Sequence, residues 1–185
     1  YYNEKALGYF GAMSYLIVAG NTVMSAIGQS SSPRLAKYFL NGDKKSFINL
    51  TSKMMGFGFF AGLLGICFAH VFGKEILTLL YGKDYSNYSD VFSSLMFAGA
   101  LMYTGAFLGF SITAARYFKI QPVIGVIWVI TSFISSIVLI PNFGLRGAAY
   151  TVVLNAFVQI VSKLIVLLYI LKKLNYKSQI KNNNI

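Results

Sequence analysis

The chain has 185 residues, 56% of them hydrophobic and only 11% charged, with a formal net charge of +11. A soluble domain carries about 25% charged residues, so a surface solvated by water on all sides is excluded, whereas lipid, which does not solvate charge, accounts for the deficit. The surplus of Lys and Arg does not imply a nucleic-acid partner, because these residues lie between and beside apolar runs.

No Asp, Glu, Lys or Arg occurs in 6–33, 54–73, 91–115 or 120–145, and between Arg146 and Lys172 the only charge is Lys163. A helix needs about 20 apolar residues to cross the hydrocarbon core. The pattern therefore predicts an all-α polytopic transmembrane bundle with five spans, at about 8–28, 54–73, 92–114, 121–140 and 148–171. Residues 1–185 form one transmembrane region. The chain opens on Tyr1 with no basic n-region or small-residue cleavage site, so no signal peptide is expected and the sequence reads as a piece of a longer protein.

The first span carries Ser14, Asn21, Ser25 and Ser32 near one face. Asn21 is the costliest of these to bury and is a candidate cavity residue; the serines suit packing. In the segment 29–53, Pro33 is expected to begin a short helix, Asn41-Gly42-Asp43 to turn, and Asp43 to cap a second helix running into the span at Met54. Its basic residues would sit near anionic lipid headgroups. In the second span Cys67 is expected to be a small buried apolar residue and His70 an interface residue. Gly58 with Gly62, and Gly105 with Gly109 in the third span, are small-xxx-small patterns that suit close helix packing.

Between these spans Ile76, Leu77, Leu79 and Leu80 suggest a short interfacial helix, followed by a turn at 81–85 with tyrosine anchors. His70, Asp84 and Asp90 fall on the same side. In the fourth span Thr131, Ser132, Ser135 and Ser136 can bond their own helix backbone. A tight hairpin is expected at 141–147. In the last span Asn155, Gln159, Ser162 and Lys163 fall at i, i+4, i+7 and i+8, on one helical face. Asn155, Gln159 and Lys163 join Asn21 as the substrate-cavity candidates; interhelical hydrogen bonding is the structural alternative. The Asn-rich end at 182–184 reads as a frayed tail.

With the C-terminus in the cytoplasm, the inner segments hold eleven basic residues: Arg34, Lys37, Lys44, Lys45, Lys53, Arg116, Lys119, Lys172, Lys173, Lys177 and Lys181. The outer segments hold four, Lys5, Lys74, Lys83 and Arg146, so the positive-inside rule favours this orientation. No catalytic constellation, metal-ligand cluster or cofactor motif is visible.

Taken together, Leu7-Gly8-Tyr9-Phe10, Ser32-Pro33-Arg34-Leu35-Ala36, the Gly42-Asp43 turn, Ile76-Leu77-Thr78-Leu79-Leu80-Tyr81-Gly82 with Tyr85, and the run from Ile140 through Pro141-Asn142-Phe143-Gly144-Leu145-Arg146-Gly147 to Ala149 form an ordered set. The set resembles the polysaccharide biosynthesis flippases, in the superfamily that also holds multidrug and toxin extrusion antiporters and lipid II flippases. The resemblance implies a two-bundle transporter of the bacterial cytoplasmic membrane, of which these five spans would end the second bundle, with the N-terminal bundle missing. It implies as substrate a polyprenyl-pyrophosphate-linked oligosaccharide, flipped by alternating access with no covalent chemistry. Two alternatives remain. A cation-coupled drug antiporter would need a cavity carboxylate, but Glu4, Asp43, Glu75, Asp84 and Asp90 all lie outside the spans. A membrane-embedded polysaccharide polymerase or ligase would need a large outer loop with arginines or a base.

Overall fold

A computed structural model describes residues 4–183, with the side chains of Glu4 and of 6–174. Four α-helices follow one another: α1 Glu4–Leu40, α2 Lys44–Tyr81, α3 Ser89–Ala114 and α4 Gln121–Asn183. Short 3-10 turns at Lys83–Tyr88 and Phe118–Ile120 connect the last three. The uncharged runs have no backbone alternative in an apolar setting, because only a helix satisfies every N–H and C=O within one segment. All four helices are long and apolar enough to cross a membrane.

The 37 residues of α1 amount to about 55 Å, well beyond a hydrocarbon core of about 30 Å. Pro33 does not begin a helix; it lies inside α1. Proline removes one backbone donor. Its i−4 residue, Gln29, is exposed, so water can take the orphaned carbonyl. The expected turn is present. Asp43 N–H reaches Tyr38 O at 2.9 Å and Gly42 N–H reaches Phe39 O at 3.2 Å, with Gly42 at φ 72°. That double bond around a left-handed residue ends α1 as glycine best allows. Asp43 then caps α2, accepting from Ser46 N–H at 3.0 Å. Ser46 holds its carboxyl below the usual carboxylate range, chiefly through its side chain and then through its backbone N–H.

The short interfacial helix expected after Lys74 is instead the end of α2, set off by a kink at Phe72 (φ −116°, ψ 16°). Leu77 is fully buried there, while Leu79 faces outward. Tyr81 then stacks on Tyr85 with ring centroids 5.1 Å apart, Tyr9 meets Tyr85 edge-on at 4.4 Å, and the Tyr81 hydroxyl donates to Ala12 O at 2.9 Å.

Helix α3 is central: 61% of its most apolar window is buried, against 11–17% in the other helices. Its close approach to α2 depends on Gly62, where a Cβ would fall 2.4 Å from the backbone of Ala100. Cys67 is exposed, not buried. The face that α2 turns to α3 is set by Gly58, Gly62 and Ala69, and Cys67 lies on the opposite side.

Matched positions give the helix directions. Ile17 and Gly28 of α1 meet Tyr103 and Phe110 of α3, so these helices are parallel. Gly58 and Gly62 meet Phe107 and Ala100, so α2 is antiparallel to α3. Helix α4 breaks at Gly144 (φ 61°, ψ −131°), a conformation suited to glycine. A Cβ on Gly147 would fall 2.0 Å from Leu139 O, so the chain folds back there and α4 has two arms. The seven-residue hairpin expected from the sequence is thus a single non-helical residue. Gly105 and Gly109 face Gln159 and Lys163, so the second arm runs parallel to α3. Large apolar side chains such as Phe57, Phe60, Phe68, Val129, Phe133, Phe157 and Ile165 are exposed around the outside. Water would penalise so extensive an apolar surface, and lipid would not.

Candidate functional site

A cavity of about 300 Å³ opens between α1, α3 and both arms of α4. Helix α1 supplies Asn21 and Ser25. Helix α3 supplies Gly109, Phe110 and Thr113. The first arm of α4 supplies Gln121 and Trp128, and the second supplies Gln159 and Lys163. Three of the four residues singled out in the sequence, Asn21, Gln159 and Lys163, therefore share one cavity, although Asn21 and Lys163 are 142 positions apart in the chain.

Lys163 is the one charge on this wall. Its Nζ donates to Gly105 O at 3.1 Å and to Gln159 Oε1 at 3.2 Å. An ammonium carries three donors, so one remains for the cavity. The second small-xxx-small pattern has a role its sequence did not disclose. Gly105 and Gly109 form the face of α3 on which the lysine lies: a Cβ on Gly109 would lie 3.5 Å from Lys163 Nζ and one on Gly105 3.8 Å from Gln159 Oε1, both ordinary contact distances. Gln121 Nε2 donates to Thr113 Oγ1 at 2.6 Å, joining the end of α3 to the start of α4 at one rim.

The first helix separates two kinds of polar residue. The hydroxyls of Ser14, Thr22, Ser30 and Ser32 all return to carbonyls of their own helix. Among the described residues, the side chains of Asn21 and Ser25 make no hydrogen bond, and both line the cavity. Thr131 and Ser135 bond their own helix, as their types suggest.

Asn155 is not brought to this wall. It is buried one turn before Gln159, where Nδ2 donates to Thr151 O at 3.0 Å. Its Oδ1 and the hydroxyl of Thr151 lack partners among the described residues. Trp128 was not apparent as a site residue in the sequence, where an aromatic in an apolar run reads as lipid-facing. Its one signal was position, since a tryptophan seven residues into a span is not at the aqueous boundary where such rings collect.

At the opposite end of the bundle, Asp90 pairs with Arg146, tying the start of α3 to the second arm of α4. His70, Lys74, Glu75 and Asp90 border a second open pocket there, of about 600 Å³, and Asp84 stands apart from it. Among the described residues no group of three or more His, Cys, Asp or Glu is placed to hold a metal ion.

No family model matches the chain, and no solved structure matches it. Over 161 residues, 87% of this chain, it is 31% identical to the capsular polysaccharide biosynthesis protein CapF of Staphylococcus aureus. The match covers 41% of that relative, so the chain spans about two fifths of its length. The similarity to a capsular polysaccharide biosynthesis protein supports a place for this helical, membrane-compatible chain in polysaccharide biosynthesis.

Proposed function

We propose that this chain is part of a flippase that carries polyprenyl-pyrophosphate-linked oligosaccharide repeat units across the bacterial cytoplasmic membrane by alternating access. In this reading both arms of α4 cross the bilayer, making five spans, and the C-terminus is cytoplasmic. A further bundle, outside residues 1–185, completes the transport path. The polar headgroup occupies the cavity while the prenyl tail stays in lipid, and no covalent bond is made or broken.

The observation that carries the reading is Lys163 in its cavity. Holding an ammonium within a span costs roughly 2.5–3.5 kcal/mol on insertion scales, and two hydrogen bonds to neutral acceptors offset only part of that. An anionic ligand would complete the offset. The lining has no carboxylate to compete with a phosphate or to couple a cation, which favours an anionic substrate over a cationic drug. The similarity to CapF supports a polysaccharide context.

The test is capsule or surface-polysaccharide output from the full-length protein carrying changes at this position. Lys163→Arg retains part of the output because the charge survives. Lys163→Gln and Lys163→Glu lose most of it at unchanged protein level in the membrane. Normal output from Lys163→Gln at normal protein level would remove the cavity's role.

A further inference from the structure

The geometry points to Trp128 as the platform on which the substrate's phosphate-proximal sugar stacks, with the amides of Asn21 and Gln159 bonding its hydroxyls. This deepens the flippase reading and rests on it. A volume of about 300 Å³ is at the small end of ligand pockets. This wall of the path has room for one sugar beside its phosphate, the part of the substrate next to Lys163.

The lining has the chemistry that a pyranose ring requires. Such a ring has apolar C–H faces and a rim of hydroxyls. A large aromatic face covers the first, and planar amides, which both donate and accept, match the second. Trp128 is the chain's single tryptophan and shares one cavity with Lys163, Gln159 and Asn21. Trp128 is 45% exposed, much like its neighbours Ile127, Val129 and Ile130, so its ring borders the cavity as an open surface and is not packed into the bundle. Trp128 lies seven residues past Gln121, about 10 Å along the helix axis. An indole N–H held at that depth needs a polar partner. Among the described residues it has none, nor do Gln159 Nε2 and the Asn21 amide. Three unpartnered polar groups and a ring face thus surround one space beside a cation.

The test measures binding to the full-length protein in lipid nanodiscs by calorimetry, with farnesyl diphosphate and farnesyl diphosphate bearing one N-acetylglucosamine as probes. The sugar-bearing probe is expected to bind about tenfold more tightly, the order of an aromatic contact, and to change the emission of Trp128. Trp128→Leu removes that advantage, so that the two probes bind alike. Trp128→Phe, which keeps a smaller ring, retains part of it and serves if the leucine variant does not fold. Equal affinity of the two probes for the unaltered protein, or an advantage that survives Trp128→Leu, overturns the stacking role. Lys163→Gln reports separately on the phosphate, since it should weaken both probes alike. If neither probe binds the unaltered full-length protein, the flippase reading and the stacking role both fall.

Discussion

Two of the three ammonium protons of Lys163 are taken by a helix carbonyl and an amide oxygen, and the third faces open space. Asn155, two turns earlier on the same helix, is the contrasting case. It is 6% exposed, its Oδ1 has no partner among the described residues, and it does not line the cavity. A buried polar atom without a partner costs about 1–3 kcal/mol. Asn155→Leu, close in volume, removes that cost and loses one bond to a carbonyl already within the helix. Thermal unfolding in detergent should therefore show unchanged or raised stability, by up to about 2 kcal/mol, with probe binding intact. Gln159→Leu should weaken binding without unfolding the chain. Loss of binding in Asn155→Leu at normal stability would return Asn155 to the cavity. Helical spacing made Asn155, Gln159 and Lys163 legible in the sequence as one face. It could not tell which part of that face meets a void and which meets packed α3, because that depends on where the glycines of α3 fall. Asn21 was legible because an amide in an apolar run needs a reason. Trp128 was not, because an apolar ring in such a run does not.

The helices take their limits from local chemistry, and here the sequence was informative. The turn between α1 and α2 combines a left-handed Gly42 with an Asp43 cap, both readable as Asn-Gly-Asp. Pro33 was misleading. Proline at a helix start and proline near an exposed helix end look alike in sequence, and only the exposure of Gln29 distinguishes them. The kink at Phe72 had no breaker residue before it to announce it. The cap gives a prediction with a definite sign. The folded-state pKa of Asp43 lies below its unfolded value. Its stabilising contribution is thus present above the ordinary carboxylate range and is lost as pH falls through the lowered folded pKa. Amide hydrogen exchange at the start of α2 should accelerate in Asp43→Ala at neutral pH. In the unaltered chain the same acceleration should appear only below the usual carboxylate range, where the two proteins converge. Asp43→Asn, which still accepts a hydrogen bond, should keep most of the protection at both pH values. Equal exchange in Asp43→Ala and the unaltered chain at neutral pH would show that the cap contributes nothing.

At the scale of the whole molecule the helices alternate in direction, and that alternation gathers the charges at two ends. The end of α3 and the later part of α4 meet where Lys173 lies 5.8 Å over the ring of Tyr117. The parallel run of α1 beside α3 brings Arg34 and Lys37 to this same end, with Lys44 and Lys45 across the turn. At the other end are Glu75, Asp84, and Asp90 with its partner Arg146. One end is thus basic and the other mixed, a difference that loop counting alone suggested and that the helix directions make spatial. Anionic lipid and the insertion machinery hold basic segments on the cytoplasmic side, at about 1 kcal/mol per residue near the surface. A single cysteine at Asn49, near the basic end, should therefore react with a membrane-impermeant maleimide only after the cells are opened. One at Asn87, in the turn before α3, should react in intact cells. Both are exposed positions away from the cavity, and Cys67, which faces outward, is first replaced by serine. Reversed labelling would put the basic end outside. The cavity would then face the wrong compartment for loading a cytoplasmic lipid-linked sugar, and the transport direction proposed here would fail even if Lys163 and Trp128 bind as described.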